Sequence, residues 1–167
     1  VARFGDTFEV HSGPDGKALF VPAGAFAQAN PDVVRDLGSA LLGWTTARST
    51  LELFAGAGTW TVLLAARMRV RAIERDAELA AACRRNLEAR SLGAAVEIGE
   101  AADSVGRVRS DDLLALDPPR TGASDVVGAL CDAGQRPAQI AYIGCDPMTA
   151  ARDLGRLCRE GYRLGRA

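Results

Sequence analysis

Two short apolar runs in the C-terminal third of the chain stop abruptly at a polar residue followed by proline. Leu113–Leu116 runs into Asp117-Pro118-Pro119-Arg120, and Ile140–Ile143 runs through Gly144 into Cys145-Asp146-Pro147. Runs of this length suit buried strands better than helices. The prolines prevent a strand from continuing and a helix from forming directly behind Asp117. A helix's worth of residues lies between the runs, so they read as neighbouring strands of a parallel sheet joined by a crossover. Open sheets of this kind bind ligands at the carboxyl rim. Asp117 and Cys145 are therefore expected side by side on one rim.

The upstream sequence fits the same architecture. Thr50–Phe54 reads as a first buried strand entering the loop AGAGTW and a helix over Thr59–Met68. Val70–Ile73 is a second strand ending at Glu74. Asp76 caps a helix to about Arg90, with Arg84, Arg85 and Glu88 on its polar face. Ala94–Ile98 is a third strand, Asp112–Leu116 a fourth and Gln139–Ile143 a fifth. Helices are expected over about Ala123–Ala133 and from Pro147 to Glu160, with Gly161 as the stop. This alternation predicts an α/β fold, a doubly wound parallel sheet with helices on both faces. Ahead of it, Val1–Pro22 alternates around His-Ser-Gly-Pro-Asp-Gly as a β-hairpin with a loop longer than two residues. Ala23–Asn30 is a loop, Asn30-Pro31 opens a helix, and Val33, Leu37, Leu41 and Leu42 recur along it at helical spacing.

Composition narrows the function. At 167 residues, 48% hydrophobic and 25% charged, the chain reads as one globular domain with a sizeable core. No apolar run reaches the roughly 20 residues of a membrane span, and there is no charged-then-apolar leader. A net charge of −1 argues against strong unassisted nucleic-acid binding, while leaving local contact with RNA open. The four cysteines show no C-x-x-C pair, so neither a zinc site nor an iron–sulfur cluster is expected; reduced thiols in a cytoplasmic setting are. The single histidine, His11, and the single lysine, Lys17, lie far from the rim, which argues against Ser–His, Cys–His and Schiff-base chemistry.

Three signals point to a site. Gly56 and Gly58 let the backbone of a strand-to-helix turn approach a ligand, and Glu74 at the end of the next strand is placed for ribose hydroxyls. Thr61 stands where a dinucleotide fingerprint needs a third small residue, and a tight turn alone remains an alternative. Asp117 is held at the rim by two prolines, although a capped strand end would look the same. Cys145 precedes a helix start, which favours the thiolate, while Asp146 beside it opposes one; a core cysteine is the other reading. Cys83, Cys131 and Cys158 read as packing residues within helices.

The succession FAQAN, LELFAGAGTW, VRAIERD, NLEAR, LLALDPPRTG and IAYIGCDPMTAARDL resembles the RNA 5-methyluridine methyltransferase family, from about Phe20 to the C-terminus. These enzymes use S-adenosylmethionine to methylate carbon 5 of uracil in transfer or ribosomal RNA, on a Rossmann-like sheet. The resemblance implies that Gln28, Phe54, Gly56, Gly58, Thr59, Glu74 and Asp117 contact the cofactor. It also implies that Cys145 is the nucleophile that forms a covalent adduct with uracil. Residues 1–22 then correspond to a hairpin left from a preceding domain, and residues 23–167 to the catalytic domain. RNA is the implied partner, with no membrane and no metal.

The chain departs from the family's pattern in four places. Thr59 and Asp146 replace the asparagines usual there, the RNA-binding modules are missing, and the proton-abstracting glutamate falls beyond Gly161–Ala167. Glu160, expected on the exposed end of the last helix, is a poor substitute. Tyr162–Leu164 reads as the opening of a sixth strand without a partner, so the last strand or strands of the sheet are expected to be missing, with an open edge and marginal stability. Alternatives are another nucleoside-cofactor methyltransferase in which Cys145 is structural, or a cofactor-binding remnant without turnover.

Overall fold

A computed structural model describes residues 8–110, 112–133 and 136–166. Five strands build the main sheet: β3 (Ser49–Leu53), β4 (Arg69–Glu74), β5 (Ala95–Ile98), β6 (Leu113–Leu116) and β7 (Gln139–Tyr142). All their pairings are parallel, in the order β5-β4-β3-β6-β7. The chain winds outward from β3 in one direction, then returns to β6 on the other side of β3 and winds the opposite way. The crevice between β3 and β6 is thus the switch point at which such sheets bind ligands.

The period of two in the strands explains both layers. Leu51, Leu53, Ile73, Leu114 and Leu116 face one side, where α4 (Ala101–Ser104), α5 (Ser124–Asp132) and α6 (Pro147–Arg159) cover them with Val105, Val126, Val127, Leu130 and Leu157. Val70, Ala72, Leu113 and Ala115 face the other, under α1 (Pro31–Trp44) and α2 (Thr59–Ala65) with Val34, Leu41, Trp60 and Leu64. Burial on both faces is why these strands read as almost continuous apolar runs. Caps expected from sequence are present. The Asn30 side chain accepts from Asp32 N and Val33 N, and that of Asp76 accepts from Glu78 N and Leu79 N at the start of α3 (Ala77–Glu88).

Several details differ from the sequence reading. Helix α1 buries Val34, Gly38 and Leu41, whereas Val33 and Leu37 are exposed, so its inward face is turned by one residue. Leu63 of α2 fills the space a larger residue at position 38 would need, which brings Gly38 against α2. Helix α2 stops at Ala65 rather than Met68. Tyr162–Leu164 is not a strand: Tyr162 N turns back to Leu157 O, and Arg136 lies over its ring. A groove of about 760 Å³ runs beside β7, lined by Leu37, Trp44, Ile140, Tyr162 and Leu164. Cys158 is exposed beside this groove and is not a packing residue.

The hairpin, β1 (Phe8–Ser12) and β2 (Ala18–Pro22), forms a separate antiparallel sheet; Val1–Thr7 of the predicted hairpin lies outside the described residues. It is bonded onto α3. The Asn86 side chain exchanges two hydrogen bonds with the backbone of Phe20, both 2.8 Å, and donates to Ala57 O in the glycine loop at 2.9 Å. Arg85 lies over the rings of Phe8 and Phe20, and Arg90 pairs with Asp15.

Candidate functional site

Parallel register places the ends of four strands in one row. Leu53 stands opposite Ile73 and Leu116, and Leu116 opposite Tyr142, so Glu74, Phe54, Asp117 and Ile143 follow one another along the carboxyl rim. Ile143 N continues the ladder to Leu116 O at 2.8 Å. Cys145 lies two residues further along the chain, past the rim position Ile143 that stands opposite Asp117.

The turn after β3 is under local constraint. Phe54 has φ 65°, a left-handed conformation that disfavours any side chain with a Cβ. Gly56 and Gly58 also have positive φ, and a Cβ at Gly58 would lie 2.7 Å from Cys83 Sγ. Glu74 is nearly buried and holds this turn: Oε2 accepts from Gly56 N at 2.8 Å, and Oε1 from Asp76 N at 2.9 Å. Each oxygen keeps a second lone pair for a ligand hydroxyl. Thr59 opens α2 directly behind the turn.

Asp117 is half-buried, and its Oδ2 accepts from Trp60 Nε1 at 2.7 Å and Gln28 Nε2 at 3.2 Å. Burial pushes its carboxyl above the ordinary range, against the lowering effect of these two donors. The loop carrying Gln28 thus reaches the rim from outside the sheet. Between Phe54, Arg75, Glu100, Ala101, Pro119 and Gly122 lies a cavity of about 300 Å³, the lower end of the range for small-molecule sites.

Cys145 is exposed, which removes the core reading. Behind it, Asp146 caps α6 by accepting from Thr149 N at 2.8 Å, and this backbone bond holds its carboxyl below the ordinary range. A fixed negative charge therefore stands next to the thiol.

Three site residues were passed over in the sequence. Trp60 is the indole that donates to Asp117; its signal is a polar ring nitrogen at the start of the helix behind the glycine turn. Glu100 follows β5 as Glu74 ends β4, an acid at a strand end. Glu52 lies mid-strand and 2% exposed, and among the described residues neither of its carboxyl oxygens has a hydrogen-bond partner. Burial pushes its carboxyl up to about 8, with the charges of Asp117 and Glu74 adding to the effect. The rim thus presents two carboxyl groups, Glu74 and Asp117, with Glu52 buried within β3.

The 23S rRNA (uracil(1939)-C(5))-methyltransferase RlmD of Pseudomonas aeruginosa is 34% identical over 153 residues, covering 86% of this chain and 34% of the relative. The protein of the same name from Burkholderia pseudomallei is 36% identical, covering 97% of this chain and 43% of its own length. Among solved structures, the Pyrococcus abyssi tRNA (uracil-54, C5)-methyltransferase in complex with S-adenosyl-L-homocysteine superimposes with a TM-score of 0.78 at 25% identity, over 92% of this chain and 38% of that one. This chain is a homologue of the RNA uracil-C5-methyltransferases. It spans about a third of the length of the first curated relatives it matches. No protein-family model matches it. The five-stranded parallel sheet flanked by helices is the Rossmann-like arrangement of its methyltransferase neighbours. Among the described residues, no helix is long and apolar enough to cross a membrane.

Proposed function

We propose that this chain forms the catalytic core of an S-adenosylmethionine-dependent enzyme that methylates carbon 5 of a uridine in RNA through a covalent Cys145 adduct. The observation that supports the reading is that β6 and β7 are adjacent and parallel beside the glycine turn after β3, with Asp117 directly after β6 and Cys145 three residues after β7. The donor set fits the cofactor: Glu74 retains lone pairs for ribose hydroxyls, while Asp117 and Gln28 offer carboxyl and amide oxygens to a cationic methionine part. Phe54, Gly56, Gly58 and Thr59 form the turn against which it would lie. When bound, S-adenosylmethionine supplies an electrophilic methyl group on a sulfonium.

Carbon 5 of uracil is too weak a nucleophile to take that group unaided. Addition of the Cys145 thiolate to carbon 6 forms an S–C bond and moves the electron pair of the 5,6 double bond into an enolate, making carbon 5 nucleophilic. After methylation a base takes the proton from carbon 5, and elimination of the thiolate restores the double bond. The exposure of Cys145 suits a base unstacked from its RNA and delivered to the rim. A reducing compartment such as the cytoplasm would keep that thiol free.

Incubation with cofactor and a 5-fluorouridine RNA tests the reading, because fluorine cannot leave as a proton would and the adduct persists. The expected result is a covalent complex in the wild type and none in Cys145→Ala. An adduct of equal yield in Cys145→Ala would exclude the thiol as nucleophile. S-adenosylhomocysteine binding that Glu74→Ala leaves unchanged would refute the cofactor assignment.

A further inference from the structure

The segment TAARD behind Cys145 has no part in the chemistry above, yet it connects the two halves of the site. Thr149, Arg152 and Asp153 lie at i, i+3 and i+4 on one face of α6. All three bond to the turn that follows Asp117-Pro118-Pro119-Arg120. Thr149 Oγ1 donates to Arg120 O at 3.1 Å, Arg152 Nη2 donates to Thr121 O at 3.0 Å, and Asp153 Oδ2 accepts from Ala123 N at 2.7 Å. The same Oδ2 accepts from Tyr142 Oη, at the end of β7, at 2.8 Å. Gly122 presses so closely on this face that a Cβ there would lie 2.7 Å from Asp153 Oδ2 and 2.6 Å from Arg152 Nη2. Asp153 is 2% exposed; Arg152 Nε reaches its other oxygen at 2.9 Å. One buried carboxylate oxygen thus ties β7, three residues before Cys145, to Ala123, six residues after Asp117. Pro118 and Pro119 stiffen the part of that connection next to Asp117.

We infer that Asp153, with Tyr142, is a positioning residue that sets the distance between the Cys145 turn and the Asp117 turn, and with it the register of thiol, uracil and methyl donor. This rests on the reading of Cys145 and Asp117 given above. Misplacement of reacting groups by about 1 Å can cost on the order of a hundredfold in rate without loss of ligand binding.

The test measures single-turnover methyl transfer to uridine RNA at saturating RNA and S-adenosylmethionine, with S-adenosylhomocysteine affinity by calorimetry on the same folded protein. Asp153→Ala is expected to slow transfer roughly tenfold or more, and Tyr142→Phe by about fivefold, with affinity held within about threefold. Asp153→Asn is expected to retain most of the rate. Its amide oxygen can take the place of Oδ2 and accept from both Ala123 N and Tyr142, while Arg152, half in solvent, swings away. Asp153→Asn as slow as Asp153→Ala would show that charge, not geometry, is at work, and would overturn the inference. Transfer at the wild-type rate in Tyr142→Phe, which also covers the case of Asp153→Ala failing to fold, would overturn it too, as would parallel losses of rate and affinity. Absence of transfer in the wild type, or equal transfer in Cys145→Ala, would refute the underlying reading and the inference with it.

Discussion

Glu52→Gln isolates one buried charge. The carboxyl sits in the middle of the central strand, 2% exposed and unpartnered, between Asp117 and Glu74. Burial raises it from its ordinary 4.5 to about 8, so the folded protein holds this proton more tightly than the unfolded chain. The sign follows: below pH 4.5 both states are protonated, and the full contribution of the neutral acid is present. As the pH rises from 4.5 to about 8, the unfolded chain ionises freely and the folded one does not. Stability then falls by about 1.4 kcal/mol per pH unit, about 5 kcal/mol in all, and the loss levels off above 8. Glutamine keeps the shape and cannot ionise. In urea unfolding at pH 5, 6, 7, 8 and 9, the variant should match the wild type near pH 5 and exceed it by several kcal/mol at pH 8. Taking the difference cancels the titration of groups that do not interact with Glu52. A gap that stays constant over this range would refute the claim that Glu52 is buried without a compensating partner.

Gly58→Ala adds a Cβ 2.7 Å from Cys83 Sγ at φ 91°, and should destabilise by about 1–3 kcal/mol in thermal or urea unfolding. Cys83→Ala in that background should restore part of the loss, because it relieves the contact and not the backbone conformation; strict additivity would exclude the contact as a cause. Asp112 is fully buried and accepts from Ser49 Oγ, Arg71 Nη2 and Arg109 N. Asp112→Ala leaves those donors without an acceptor and should cost about 3–5 kcal/mol; a loss below about 1 kcal/mol would mean that water replaces the carboxylate at no penalty.

Much of the fold was legible because its signals are local. The caps at Asn30 and Asp76 depend on side chains reaching the next turn, and the strand ends at Glu74, Asp117 and Ile143 on apolar runs broken by polar residues and proline. Gln28, Gly56, Gly58, Glu74 and Asp117, assigned to the cofactor by motif order, lie together at the rim of β3, β4 and β6 in the structure. Exposure of Cys158 and the inward turn of α1 toward Val34 were not legible. Both depend on which neighbours cover a helix, and helical periodicity alone leaves its phase open by a residue.

Sequence by itself determined the sheet-and-helix alternation and the delivery of acid and thiol to one rim, because strand period, proline and capping act within a few residues. Only the tertiary structure decided how those groups are held. Trp60 meets Asp117 across 57 residues, and Asp153 meets Ala123 across 30. Such bonds have no signature in either local segment. They exist because packing helices on both faces of one parallel sheet brings donors and acceptors from distant segments together, so that Asp117 and Asp153 each accept from more than one of them.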